Sequence, residues 1–323
     1  MKVVRVSEYG SPDVLRLADA PEPEPSSGQV VVDVERAGVL YADTIIRSGR
    51  FPVELPYVAG FEVGGRVTAV GPDVDPSWLG RRVATAAHGD RGGYAERALA
   101  DAADLHALPD GLGAEQAVAV LSAGALALGI LDAMRVRPDD SLLVTAAGGR
   151  LGSLLVQFAK AAGVARVVGA ASNAAKLAAA ADAGADVTVD YSRPDWVERV
   201  QDATGGGADV VVDAVGGTIG EQALAAAATG RGRVGIYGFA SGEWTPLDTM
   251  NLLARGLTVS GPIWNIVYGP ADERHAVAEK ALRAAADGTV TARVDATYAL
   301  DEAAEAHRRI EDRSVVGALQ LVP

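Results

Sequence analysis

The 323-residue chain carries 29 Lys and Arg against 42 Asp and Glu, a net charge of −13, and only 5% aromatic residues. That balance repels phosphate backbones and anionic lipid surfaces and argues against a stacking platform, so neither nucleic acid nor membrane is an expected partner. The chain has no cysteine, which excludes disulfides, thiolate nucleophiles, iron–sulfur clusters and cysteine-containing zinc sites.

The length suggests about two domains. Met1 to Gly10 alternates like a first strand and lacks the apolar run of a secretory signal, so a cytoplasmic protein is expected. Through the first third, Gly and Pro punctuate short Val-rich runs such as Val30–Val34 and Glu62–Val70, which predicts a β-rich, partly open barrel. The longest apolar stretch, Ala117–Leu131, is interrupted by Ser122, Gly124 and Gly129 and falls short of the ~20 residues that span a bilayer. Beyond Asp110, Ala-rich helical segments alternate with predicted strands at Leu142–Thr145, Arg166–Ala170, Val187–Val189, Val210–Asp213 and Arg233–Tyr237. Alternation of that kind marks βαβ units and a parallel sheet. A helix near Ala271–Asp287, a strand near Ala292–Tyr298, a helix near Asp301–Glu311 and a strand Ala318–Val322 follow. The expected organisation is a doubly wound domain, residues 123–264, inserted between residues 1–122 and 265–323 of a discontinuous β-rich domain.

The predicted strand Leu142–Thr145 runs into Ala146-Ala147-Gly148-Gly149-Arg150-Leu151-Gly152 and then a helix from Ser153. In this AxxGxxG, Ala146, Gly149 and Gly152 take the three small positions. Gly149 lets backbone N–H groups approach a pyrophosphate, Gly152 lets the helix pack on the sheet, and the helix N-terminus supplies partial positive charge. The next strand decides the dinucleotide, because NAD enzymes place an acid about 20 residues on to hold the ribose 2′-hydroxyl. Here that stretch reads Ala171-Ser172-Asn173-Ala174-Ala175-Lys176. A hydroxyl and a cation stand where the acid would be, which points to NADPH.

These motifs, with Ala37–Gly49, Pro56–Gly71, Gly93-Tyr94-Ala95-Glu96, Gly184–Tyr191, Gly207–Gly217 and Gly232–Gly238, resemble the zinc-independent quinone oxidoreductase branch of the medium-chain dehydrogenase/reductase superfamily. The resemblance spans almost the whole chain. It implies a GroES-like catalytic domain split around a Rossmann domain, and a homodimer joined through an edge strand near Leu257–Gly261. It also implies Tyr191 beside the adenosine phosphate, and Val215, Gly238, Phe239 and Gly261–Trp264 along the ribose and nicotinamide. Arg150 departs from the Gly usual in its loop, and either contacts the pyrophosphate or points outward.

Zinc-dependent members carry a Cys near the position of Leu40 and a His in a Gly-His-Glu motif, which here reads Gly60-Phe61-Glu62. Both ligands are missing, and His88, His106, His275 and His307 form no helical metal-binding pair, so no metal is expected. Without a Lewis acid, hydride addition to a conjugated double bond or quinone is the favoured chemistry. By resemblance, Leu40–Ile45, Phe51 and the loop near Trp264 line the substrate pocket, and Tyr41 is the polar candidate. Its phenol corresponds to one discussed as a proton donor in polyketide enoyl reductase domains, whose lysine after the last Rossmann strand is Phe239 here. Tyr41 either donates a proton or packs on the nicotinamide. Asp43 and Glu62 read as structural acids bridging to Arg47 or Arg66, and Gly317-Ala318 replaces a Gly-Lys or Gly-Arg. The expected function is an NADPH-dependent reductase of quinones or α,β-unsaturated carbonyls acting on a small molecule. A pathway-specific enoyl or polyketide-type reductase and a non-catalytic NADPH-binding redox sensor are the alternatives.

Overall fold

Val32 and Val34 are buried while Asp33 and Glu35, which follow each of them, are exposed. In the computed structural model, which describes residues 1–323, they form one face of the strand Gln29–Val39. Alternation of that kind puts one face of a sheet on the core and leaves the other to water. The strand sits inside a sheet ordered Val294–Ala299, Ala318–Val322, Gln29–Val39, Glu62–Val70, Arg82–Ala86, His106–Ala107, and Arg97–Asp101 also pairs with it. A smaller antiparallel sheet joins Leu15–Asp19, Lys2–Val6 and Tyr57–Val58. Val4, Val63, Val67, Val83, Leu319 and Leu321 are buried in the shared core. This is the GroES-like domain. Its last strands come from the far end of the sequence.

The other domain is a six-stranded parallel sheet ordered Val187–Asp190, Arg166–Ala171, Ser141–Val144, Val210–Asp213, Arg233–Ile236, Thr258–Ser260. In chain order that is third, second, first, fourth, fifth, sixth, the doubly wound Rossmann arrangement. Leu142, Leu143, Val144, Val210, Val211 and Val212 are all 0% exposed, as expected of strands covered on both faces. The direction of winding reverses between Ser141–Val144 and Val210–Asp213. Dinucleotides lie over the carboxyl ends of strands at such a switch point.

The chain divides into Met1–Ser122 with Ala292–Pro323, and Ala123–Thr291. The return to the first unit therefore comes at Ala292 and not at residue 265. The helix Ala271–Ala286 buries Ala278, Ala281 and Leu282 and packs against the helix Trp264–Tyr268. Two hydrogen bonds between the Gln157 side chain and the backbone of Thr291, 2.8 and 3.0 Å, then tie the end of this segment to the helix Arg150–Ala161. At the very next residue a second glutamine takes over, Gln116, which bonds both the N–H and the carbonyl of Ala292 at 3.0 and 2.9 Å.

The apolar stretch expected at Ala117–Leu131 is part of a 20-residue helix, Ala114–Ala133, long and apolar enough by length and composition to cross a membrane. Ala117, Val118, Val120, Ala127 and Ile130 are nonetheless 0% exposed within the protein. A helix apolar all round is what a core position requires.

Candidate active site

Thr145 follows the strand Ser141–Val144, and Ala146 then turns the chain with φ of 50°, a left-handed value uncommon for a residue with a Cβ. The helix Arg150–Ala161 then starts from Gly149, whose missing side chain offers its first-turn N–H groups no cap. Those groups and the helix dipole favour an anion. Two neighbouring glycines have no room for more: a Cβ at Gly152 would lie 2.3 Å from the Ala146 carbonyl oxygen, and one at Gly148 would lie 2.4 Å from the Lys176 carbonyl oxygen. Gly148 thus packs the loop against the first turn of the helix Ala174–Asp182. Arg150 and Leu151 open their helix half-buried.

At the carboxyl end of the second strand, Asn173 caps the helix Ala174–Asp182 by accepting the Lys176 N–H at 3.0 Å. Ser172 and Lys176 are both half-buried. The Tyr191 N–H donates to the Ala171 carbonyl at 3.1 Å, and its ring lies edge-on to Trp196, centroids 6.4 Å apart. Backbone pairing therefore gathers Ser172, Lys176 and Tyr191 at the ends of two adjacent strands, beside the glycine loop. A backbone cradle with a hydroxyl and an ammonium alongside fits a dinucleotide bearing a 2′-phosphate.

On the opposite side of the switch point stands a residue that sequence reasoning missed. Asp213 is 0% exposed, and all four of its acceptor positions are used. Oδ1 accepts Thr145 Oγ1 and the Val215 N–H at 2.8 and 3.0 Å, while Oδ2 accepts the Gly216 N–H and Thr245 Oγ1 at 3.0 and 2.9 Å. This carboxylate fixes the turn Val215–Gly217. The segment Gly238–Ser241 is bonded back onto it, Ala240 N–H to the Ala214 carbonyl and Ser241 N–H to that of Val215, at 3.0 and 2.8 Å. Phe239 packs on Trp244, centroids 4.5 Å apart. Trp264 packs on Tyr268, centroids 4.6 Å apart, and is 65% exposed.

In the first unit, Tyr41 opens the helix Tyr41–Arg47 and is exposed at 37%. Asp43 holds that opening turn through Oδ2, which accepts the Leu40 N–H at 2.8 Å and the Tyr94 hydroxyl at 3.1 Å. Since Tyr94 spends its proton on Asp43, its oxygen must accept from His307 Nε2, 3.2 Å away, which assigns the His307 tautomer. Burial, then the nearby Arg47 charge, pushes His307 down to about 3. Burial and the Asp43 charge push the Tyr57 phenol up to about 12 and raise that of Tyr94. Arg47 pairs with Glu311, and Arg66 donates to the Gly80 carbonyl at 2.6 Å. Glu62 is fully buried across the sheet from Gly38, where a Cβ would come within 2.6 Å of its Oε1.

Comparison with known proteins follows this division. Residues 26–110 match the alcohol dehydrogenase GroES-like domain and residues 151–286 match the zinc-binding dehydrogenase family. A quinone oxidoreductase of Pseudomonas aeruginosa is 34% identical over 100% of this chain and 99% of its own. The chain belongs to the quinone oxidoreductase branch of the medium-chain dehydrogenase/reductase superfamily. Another relative, the 2-haloacrylate reductase of a Burkholderia species, is 31% identical over 98% of both chains. The crystal structure of Escherichia coli quinone oxidoreductase complexed with NADPH superposes with a TM-score of 0.92 at 29% identity, covering 100% of each chain. Here Leu40 serves as a helix N-cap, Phe61 meets Ala87 through its carbonyl at 2.8 Å, and neither side chain has an atom that can ligate a cation.

Proposed function

We propose that the chain reduces quinones or α,β-unsaturated carbonyls using NADPH and no metal. The observation that carries the cofactor choice is the end of the second parallel strand, where Ser172 and Lys176 stand and no acid meets a ribose 2′-hydroxyl. NADPH supplies the hydride when bound. The chain supplies the binding: first-turn N–H groups of Arg150–Ala161 hold the pyrophosphate, Lys176 and Ser172 hold the 2′-phosphate, and the turn braced by Asp213 backs the far half. Leu40 and Phe61 provide no Lewis acid for an alcohol, which favours an acceptor already activated by conjugation. Relatives named for quinones and for 2-haloacrylate support that class of acceptor. Tyr41 donates a proton or a hydrogen bond to the developing enolate.

Titration of intrinsic fluorescence with NADPH and NADH tests this reading. NADPH should bind more tightly, and Lys176→Ala should weaken NADPH about ten-fold while leaving NADH nearly unchanged, the loss of one charge-assisted contact. Equal affinity of the unmodified protein for both dinucleotides would refute it.

A further inference from the structure

In the nucleotide-binding unit one side-chain oxygen is buried without any hydrogen-bond partner, the hydroxyl of Tyr237. Buried hydroxyls almost always have partners, and leaving one unpaired costs free energy. Tyr237 follows directly on the strand Arg233–Ile236, and its N–H donates to the Asp213 carbonyl at 2.9 Å. Ile236 packs into the core cluster with Val211 and Val234, so by strand alternation Tyr237 belongs to the opposite face, with Gly235. The Asp213 carboxylate cannot serve the hydroxyl, because Thr145, Thr245, Val215 and Gly216 already occupy it. Burial, followed by that same carboxylate, raises the phenol well above its usual range, so it stays a protonated donor.

The direction of the dinucleotide says which half it would meet. Ser172, Lys176 and Tyr191 mark the adenosine side at the second and third strands, so the nicotinamide half extends across the switch point toward the fourth and fifth. We propose that the Tyr237 hydroxyl is a cofactor-binding group, donating a hydrogen bond to the nicotinamide–ribose half of bound NADPH. The assignment rests on the NADPH reading above, and adds to it a residue that sequence motifs do not reach. It explains why a phenol rather than a phenyl ring ends this strand.

Tyr237→Phe removes only the hydroxyl, and since that hydroxyl bonds nothing inside the protein, the thermal midpoint without ligand should stay level or rise. NADPH affinity should fall roughly three- to ten-fold, one neutral hydrogen bond, while 2′,5′-ADP, which carries the adenosine half alone, should bind both proteins equally. Unchanged NADPH affinity, or equal weakening toward NADPH and 2′,5′-ADP, would overturn the assignment and leave the cofactor reading standing. Failure of the unmodified protein to bind NADPH at all would overturn both.

Discussion

Two buried aspartates, one in each unit, satisfy their carboxylates in opposite ways. Asp213 takes two of its four donors from its own turn, at Val215 and Gly216, and the other two from threonine hydroxyls. Asp43 takes one donor three residues back, at Leu40, and another 51 residues away, at Tyr94, which in turn accepts from His307 another 213 residues along. The first arrangement is closed. The second leads to His307 Nδ1, which has no partner, beside Arg47, whose Nε and Nη1 are likewise unpaired. A carboxylate fed by its own turn makes a rigid local support, whereas one fed through distant side chains ties the Tyr41 helix to the closure of the whole first unit.

The largest test of that contrast is Asp213→Ala. It strands four buried donors at once, and the cost should be about 3–5 kcal/mol by urea unfolding. A loss below about 1 kcal/mol would show that the turn holds without its carboxylate.

Acid should separate the two arrangements further. Folded His307 takes up a proton only at about 3, against 6.5 for the ordinary side chain. Between those values the unfolded chain binds the extra proton, so the His307 contribution to stability is constant above about pH 7 and declines as pH falls, by roughly 1 kcal/mol per pH unit. Denaturant midpoints at pH 7.5 and 5 should therefore differ more in the unmodified protein than in His307→Gln. Equal differences would remove His307 from the account.

Least disruptive to the fold is Tyr41→Phe. Its exposed ring should leave stability within about 0.5 kcal/mol, while kcat toward an enone should fall at least about ten-fold with NADPH affinity unchanged. Undiminished turnover would leave Tyr41 a packing residue.

The same contrast explains what could be read from the sequence. Val210–Asp213 and Ala318–Val322 are strands at the bounds that their apolar runs predict, and the glycine loop falls between strand and helix because all its determinants lie within a dozen residues. The helix expected from Asp301 begins instead at Ala303 after a 3₁₀ turn, Leu300–Glu302, in which Glu302 accepts the Ala299 N–H at 2.9 Å. The unit boundary near Trp264 was not legible, because an amphipathic helix such as Ala271–Ala286 reads alike in either unit. What decides it is the Gln157–Thr291 pair, 134 residues apart. The links from Asp43 through Tyr94 to His307 are invisible for the same reason. Asp213 left one signal, an acid closing an otherwise all-valine strand, where a buried charge needs donors to hold it.

The insertion after Ser122 also orders events in time. A ribosome releases the whole of Ala123–Thr291 before Val294–Ala299 and Ala318–Val322 emerge. The nucleotide-binding unit can therefore be assembled while the strand Gln29–Val39 still lacks its partner Ala318–Val322. Until that partner arrives, the Ala37–Val39 end of the strand, beyond the part paired with Arg97–Asp101, is an open edge able to pair with other chains, and the nascent chain's exposure to misassembly is set by the time taken to translate the insert.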